Sequence, residues 1–441
     1  MSYNVRAQTY VVGGLGVTGQ ACVRFLQQQG AQVKAFDTRA SVSLPNEIDV
    51  EVTLGSLTAA YFDGVDVLVL SPGLSPAIEQ VQLAQRAGVE VIGDVELFAR
   101  LNETPVIGIT GSNGKTTVTL LTTHMLNHCG LKAVAAGNVG LPVLDTLAND
   151  YDVIVLELSS FQLETTSSLA LQAATILNIS DDHLDRHQTF ENYVLAKQRI
   201  FLHCNTAVVW RDTEHCAPQN TVNKLSYYGL SDVSEGIGFR DNAITLHGEP
   251  LLDANQIQLA GTHNVLNVMA SLALCEGLQA TMNVNLIDAA QSVTTFKSAP
   301  HRCVEIANIN GVRWIDDSKA TNVGATLAAL QGLAPLTEGN IILVAGGDAK
   351  GGDINQLADV VKNEVSHIVA MGKDAHQFAA MFERTQIVKD MDEAVDYAFS
   401  HAKPNDVVLL SPACASLDMF VTTFTARKFL PRPSNKGAKH E

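Results

Sequence analysis

Short apolar runs alternate with stretches whose apolar positions recur at helical spacing, and the alternation persists along the whole chain. Such runs, ending in small or polar residues, read as strands buried on both faces, and the periodic stretches between them as helices. Strand, helix and strand in succession predict mostly parallel sheets and therefore an α/β fold. The pattern divides into three blocks, at residues 1–93, 94–298 and 299–441. In the first, strands are expected over 9–13, 33–36 and 65–70 and a helix over 20–29. In the second, strands are expected over 105–109, 151–157 and 174–178, and a helix over 115–128 with Gly130 as its stop. The third carries strands over 312–315, 341–345, 367–371 and 407–410, with no internal repeat or low-complexity linker in any block.

Chemistry concentrates where the second block begins, in Val106-Ile-Gly-Ile-Thr-Gly-Ser-Asn-Gly-Lys-Thr-Thr117. Gly111, Ser112, Asn113 and Gly114 form a turn between strand and helix, where backbone N–H groups and the helix N-terminus can surround phosphate oxygens. Lys115 would reach the β- and γ-phosphates, Thr116 would place its hydroxyl on Mg²⁺, and Thr117 continues the motif. Ile109 stands where the usual spacing has its first glycine, so the loop is a variant. The pattern asks for a nucleoside triphosphate. In the first block Gly14-x-Gly16-x-x-Gly19 opens a helix. Asp37 follows about 20 residues on, as a ribose-binding acid does in dinucleotide-binding folds. That motif reads as a diphosphate site and leaves open which diphosphate.

Composition narrows the class. The 441 residues carry a formal net charge of −17, which argues against broad binding to nucleic acid or to anionic membrane. An anionic substrate then needs local cations, and Lys115, Arg302, Lys319 and Lys350 all fall inside motifs. No apolar stretch approaches the ~18 residues of a membrane span. The first residues lack the build of a signal peptide. Seven cysteines without a Cys-x-x-Cys pair read as reduced thiols of a cytoplasmic enzyme.

Other polar groups gather at strand ends. Glu157 closes an apolar strand, where it serves either a magnesium ion or the start of the next helix. His183 lies in Asn178-Ile-Ser-Asp-Asp-His-Leu-Asp-Arg-His187, as a metal or phosphate ligand or as a plain surface histidine. Lys197 sits on the following helix, where most lysines only solvate a face. His263, Asn264 and Asn267 share a helical face, addressing a nucleotide or capping the helix. Asp316-Asp317-Ser318-Lys319-Ala320-Thr321-Asn322 places acid, hydroxyl and lysine together after a strand, and Gly346 to Gly352 is a second glycine-rich loop carrying Lys350.

In this order the motifs resemble the Mur ligase family, ATP-dependent amide-forming enzymes of peptidoglycan synthesis, from about Val11 to Asp418. Asp317-Ser318-Lys319-Ala320-Thr321-Asn322 and the glycine-rich first block favour the member that adds D-glutamate to UDP-N-acetylmuramoyl-L-alanine. The resemblance implies an N-terminal Rossmann-like domain, a central P-loop ATPase domain and a C-terminal Rossmann-like domain. It implies that Val17, Thr18, Asp37, Thr38, Arg39 and Gly73 line the UDP site and that Asn138 holds the muramoyl substrate. Lys115, Thr116 and Thr117 would bind ATP phosphates, with Asn267, Arg302 and Asp317 completing the nucleotide site. Glu157, His183 and Thr116 would serve magnesium, expected as two ions, and Lys197 matches a carbamoylated lysine. Lys319, Thr321, Lys350 and Ser416 would surround D-glutamate and the reacting phosphate. The family's phenylalanine matches Phe424, one position off, with Phe420 as the alternative. Beyond Arg427 the chain lacks the relatives' Arg-Gly turn and closing amphipathic helix.

The implied reaction activates a carboxylate as an acyl phosphate, which the D-glutamate amine then attacks, with closure of the third domain assembling the site. A cytoplasmic monomer without nucleic-acid or membrane partners is expected. The rivals are a nicotinamide oxidoreductase, which leaves the ATP loop unexplained, a UDP-sugar or nucleotide-binding regulator without turnover, and a folylpolyglutamate-synthase-like ligase, against which the extra first domain speaks.

Overall fold

The computed structural model describes residues 3–257, 259, 261–297, 301–349 and 351–415. These hold three sheets, within two compact units. Among the described residues, those within 1–179, 189–256 and 266–296 make the first unit, and those within 180–188, 257–265 and 297–415 the second.

The first sheet has five parallel strands in the spatial order Glu51–Leu54, Gln32–Asp37, Thr9–Gly13, Val67–Leu70, Glu90–Gly93. The chain builds outward on one side of Thr9–Gly13 and then on the other. The loops leaving Thr9–Gly13 and Val67–Leu70 therefore diverge and open the crevice where such sheets bind ligands. The helix after the first strand spans Val17–Gln28, three residues earlier than its expected start. Gly16 is its extended N-cap, and the motif's last glycine already lies in its first turn. A Cβ at Gly19 would stand 1.8 Å from the Gly14 carbonyl oxygen, so this helix and the turn meet backbone to backbone.

The second sheet has nine strands. Ala133–Gly137, Val153–Glu157, Val106–Thr110, Ala170–Ile176, His203–Trp210, Lys224–Tyr228 and Ile237–Arg240 lie side by side and parallel. An antiparallel meander, Ala243–Leu246 and Glu249–Asp253, extends the edge. The block pattern did not anticipate it. Its signals are the two-residue turns Asp241-Asn242 and His247-Gly248, all four residues at positive φ.

One cluster of buried apolar side chains runs through both sheets, from Tyr10, Val12 and Leu26 through Val95, Leu97 and Phe98 to Val106, Leu156, Ile176 and Phe201. The expected division at 93/94 falls inside this core, between Glu90–Gly93 and the helix Asp94–Ala99. That helix is tied to the central sheet by Glu96, which accepts the Ser167 and Ser168 N–H groups at 2.7 and 2.9 Å.

In the second unit the strands are ordered Val304–Ile309, Val312–Asp316, Val407–Leu410, Ile341–Gly346, Val365–Met371, Thr385–Ile387. Only the first of these is antiparallel to its neighbour. Buried apolar clusters cover both faces. Residues 180–188 and 257–265, placed by sequence in the central block, belong to this unit. Asn322 donates to Asp182 at 3.2 Å, and Gly261 and Gly332 both lie against the His263 ring. All seven cysteines are thiols, and no helix among the described residues is long and apolar enough to cross a membrane.

Gly19→Ala should destabilise the first unit by about 3 kcal/mol, because the helix must move off the turn to admit one methyl. Urea unfolding measures this; an unchanged midpoint would show that the backbone approach is not required.

Candidate active site

The turn expected to hold phosphate leaves the strand Val106–Thr110 and enters the helix Lys115–His128. Gly111 has φ +152° and Gly114 φ +84°, and Gly114 is the helix N-cap. A Cβ at position 114 would lie 2.7 Å from Asn267 Oδ1, so Asn267 and the loop are brought together. Lys115 Nζ donates to the carbonyls of Gly111 at 2.8 Å and Ser112 at 2.9 Å, folded onto the loop it is expected to serve. Ser112 is buried with its hydroxyl 3.1 Å from that of Tyr193, Thr117 is buried, and Thr116 is half-buried.

Lys197 is buried, not solvating. Its Nζ donates to Gly111 O at 3.0 Å and Thr110 Oγ1 at 3.3 Å and lies 4.5 Å from the centre of the Tyr193 ring. These three contacts are neutral dipoles and a π face, and the Gly111 carbonyl is shared with Lys115. Glu157 is also buried, at the end of its strand, and Oε1 accepts from Asn138 Nδ2. Its Oε2 is buried with no partner among the described residues. The following helix, Ser160–Glu164, is capped by Ser159, reciprocated by Gln162. Glu157 is therefore not needed as a cap, and it keeps a desolvated oxygen for a ligand. Asn138, expected to hold substrate, and Glu157, expected to hold metal, are direct neighbours.

In the first sheet, Gly14–Gly16, Asp37–Arg39 and Ser71–Gly73 all leave the carboxyl ends of adjacent strands. Asp37 is buried: Oδ2 accepts the Leu15 N–H at 2.7 Å, and Arg39 binds both oxygens at 2.8 and 2.7 Å. The Arg39 hydrogen bonds hold its carboxyl well below the usual range. The groups presented outward are the exposed side chains of Val17, Thr38 and Arg39. Asp37 is thus the anchor of the glycine turn. Thr18 is half-buried in the helix's first turn, and no atom lies within 4 Å of a Cβ built at Gly73.

In the second unit, Asp316 and Asp317 close the strand Val312–Asp316 and turn inward. Asp316 accepts from His301 Nδ1 at 2.8 Å and from the Ser318 N–H at 3.0 Å. Asp317 accepts from Ser411 Oγ at 2.8 Å and the Cys303 N–H at 3.2 Å. Burial pushes its carboxyl up to about 7, against the opposing pull of Ser411 and the Arg302 charge. Lys319 is exposed, Thr321 half-buried, and Asn322 caps the helix Val323–Leu333. His183 is half-buried in the left-handed conformation (φ 55°), its N–H on Asp182 and its ring 3.7 Å from the same carboxylate. His183 belongs to the second unit, whereas Glu157 and Lys197 belong to the first. His263 is half-buried, and its desolvation lowers its affinity for a proton. Lys350, Ser416, Phe420 and Phe424 lie outside the described residues, as does the tail beyond Arg427.

Three contributors escaped the sequence reading. Asn178 opens the polar stretch to His183 that carries the resemblance but is given no role of its own there, yet its side chain grips the backbone of Asn113. Tyr193, after Glu191-Asn192 on a helix, and Ser411, after an apolar strand, give no sign in the sequence of a hydroxyl with a partner.

Three family models match the chain: a Mur ligase MurD-like N-terminal domain over residues 8–93, a Mur ligase middle domain over 109–275, and a Mur ligase glutamate ligase domain over 301–414. The chain is 39% identical over 436 residues to UDP-N-acetylmuramoylalanine–D-glutamate ligase of Idiomarina loihiensis, covering 93% of each chain. It is 42% identical to the enzyme of that name from Marinobacter nauticus, over 95% of this chain and 96% of the other. Among solved structures it is similar in fold to UDP-N-acetylmuramate-alanine ligase of Thermotoga maritima, with TM-score 0.62 and 16% identity over 96% and 98% of the two chains. MurF of Acinetobacter baumannii gives a TM-score of 0.61 at 20% identity over 97% and 92%.

The raised Asp317 carboxyl has a consequence for stability. Its value of about 7 lies above the ordinary 3.8, so the folded chain binds this proton more tightly than the unfolded one. The stability it contributes is whole below 3.8 and is lost as pH rises through about 7. Within that window the slope approaches about 1.4 kcal/mol per pH unit. Asp317→Asn should flatten the curve, gaining on the order of 2 kcal/mol relative to the parent between about pH 5 and pH 8. Urea unfolding at both pH values checks this, and equal slopes in the two chains would refute it.

Proposed function

The chain belongs to the Mur ligase family, and from that premise we propose that it is an ATP-dependent ligase joining D-glutamate to UDP-N-acetylmuramoyl-L-alanine in peptidoglycan precursor synthesis. The observation that carries the reading is the glycine turn with Lys115 folded over it, in a chain whose relatives of that activity align along nearly its whole length. The domain limits 1–93, 94–298 and 299–441 belong to this reading, as do a cytoplasmic location and a monomeric state.

The substrate carboxylate attacks the γ-phosphorus of ATP. A new O–P bond forms, the bond to the bridging oxygen breaks, and ADP leaves. The D-glutamate amine then attacks the acyl carbon. Inorganic phosphate departs with the C–O bond's electrons, and the amine's surplus protons are lost. The first step asks mainly for positioning and charge neutralisation. Lys115 would exchange its two carbonyl partners for β- and γ-phosphate oxygens, while Thr117, Asn267, Arg302 and Asp317 hold the remainder of the nucleotide.

The residues present fit magnesium. Glu157 Oε2 is an unpartnered buried carboxylate oxygen, and Thr116 offers a hydroxyl next to the loop lysine. No group of three or more His, Cys, Asp or Glu gathers among the described residues. The resemblance would add His183 and a carbamate on Lys197 as ligands, with phosphate oxygens supplying the kind of donor Mg²⁺ prefers. When bound, the metal neutralises developing charge on the transferring phosphoryl group.

The uridine diphosphate would lie at the strand ends of the first sheet. There Arg39 offers a cation, Val17 an apolar surface, and Thr18, Thr38 and Gly73 the walls. Asn138 would turn to the muramoyl moiety. Lys319 and Thr321, with Lys350, Ser416 and Phe424, would receive D-glutamate. Two substrate carboxylates entering a chain of net charge −17 need such cations.

Mass spectrometry of the product after incubation with ATP, Mg²⁺, UDP-N-acetylmuramoyl-L-alanine and a panel of amino acids tests the assignment. A product with D-glutamate and little with L-glutamate is expected; no preference between the enantiomers would overturn the substrate. Lys197→Ala should lose at least about a hundredfold in turnover and be partly restored by acetate, whose carboxylate supplies the oxygens Mg²⁺ prefers. An alanine variant of ordinary activity would remove the carbamate from the reading.

A further inference from the structure

The strand Ala170–Ile176 runs beside Val106–Thr110, and the pairing continues past both ends. Leu177 N–H donates to Thr110 O at 3.0 Å, and Ser112 N–H donates to Asn178 O at 2.9 Å. The Asn178 side chain then takes both polar groups of one residue in the loop: Oδ1 accepts the Asn113 N–H at 2.8 Å, and Nδ2 donates to Asn113 O at 3.1 Å. An amide on a one-carbon stem offers an acceptor and a donor at the spacing of a peptide group. Aspartate presents two acceptors, and serine reaches with a single atom.

Two N–H groups of the glycine turn are thereby committed to Asn178. The turn's shape is imposed from the neighbouring strand before any phosphate arrives. Phosphate donors must come from the loop's exit, where Gly114 turns the chain into the helix Lys115–His128 and no intrahelical carbonyl accepts the first N–H groups. A side chain at Gly111 would meet Leu177 Cβ at 3.1 Å and Asn178 O at 3.3 Å, so the turn fits against this segment from its first residue.

We propose that Asn178 is a positioning residue for the phosphate loop, holding the Asn113 peptide so that the helix start and Lys115 converge on the triphosphate. The inference rests on the reading of the chain as an ATP-dependent ligase and adds to it a residue that touches no reacting atom. In such a role its loss displaces the loop and misaligns the γ-phosphate. The effect should then fall on the nucleotide and on kcat, leaving the other two substrates bound as before.

The test uses the full chain with Asn178→Ala and Asn178→Asp. Asn178→Asp is isosteric and keeps the acceptor for the Asn113 N–H, but faces the Asn113 carbonyl with a second acceptor. In both variants kcat/KM for ATP and affinity for a fluorescent ADP should fall by about ten- to a hundredfold. The KM values for D-glutamate and the UDP substrate should stay within about twofold of the parent. Nucleotide constants within about twofold of the parent in both variants would overturn the proposal. So would equal losses for all three substrates together with a lowered melting midpoint, which would mark Asn178 as ordinary packing. Parent turnover tests the ligase reading by itself, whereas the ratio of ADP affinities tests Asn178 whether or not turnover occurs.

Discussion

A buried carboxylate at the carboxyl end of a parallel strand recurs in each of the three sheets: Asp37, Glu157, and the pair Asp316 and Asp317. Burying a charge costs several kcal/mol unless partners replace the lost water, so each position constrains the loop that follows it. The three sheets meet that constraint differently. Asp37 is saturated by the Leu15 N–H and by Arg39, which leaves it charged and makes it a fixed part of the glycine turn. Glu157 is half satisfied by Asn138, with an oxygen left for a ligand. Asp317 is desolvated far enough to hold its proton near neutrality. Position at a strand end thus says little about role; the count of donors around each carboxylate separates anchor, ligand and titrating group.

Much of this was legible in the sequence, for a local reason. Parallel strands are buried on both faces and show as continuous apolar runs, and the Gly-Lys-Thr-Thr step gives helix 115–128 its N-terminal limit. The expected strands at 341–345 and 407–410 match Ile341–Gly346 and Val407–Leu410 closely, because nothing in those runs competes with burial. Parallel strands such as Ala133–Gly137 and His203–Trp210, diluted by small or polar residues, were missed, and so were the antiparallel edges. Val304–Ile309 and the 243–253 meander face solvent on one side, and their alternation is diluted by polar residues.

What periodicity could not convey was partnership across long separations. Nothing local to residues 180–188 says that Asp182 will accept from Asn322, 140 residues on, and so draw that segment into the second unit. The same holds for Asp37. Its spacing from the glycines suggests a ribose-binding acid, and nothing in that spacing says that Arg39, two residues away, and the Leu15 N–H will bond to both of its oxygens. A motif fixes where a side chain stands; its neighbours decide whether the side chain still has anything to offer.

The phosphate loop shows the same logic in backbone terms. A variant spacing, with isoleucine at 109 in place of glycine, remains compatible with a phosphate-binding turn because the loop does not rely on its own glycines alone. Ile109 is wholly buried, paired with Glu157 on one side and Thr175 on the other. The flexibility forgone there is replaced by rigidity from the next strand, whose end supplies Leu177 and Asn178 as a template. Gly111 and Gly114 then suffice for the two positive-φ steps that turn the chain into the helix. Lys115 and Lys197 converge on the Gly111 carbonyl at 2.8 and 3.0 Å, which ties the loop to a fully buried lysine. The resulting turn is set by neighbours on both sides before a nucleotide binds, and preorganisation of that kind lowers the ordering cost that binding would otherwise carry.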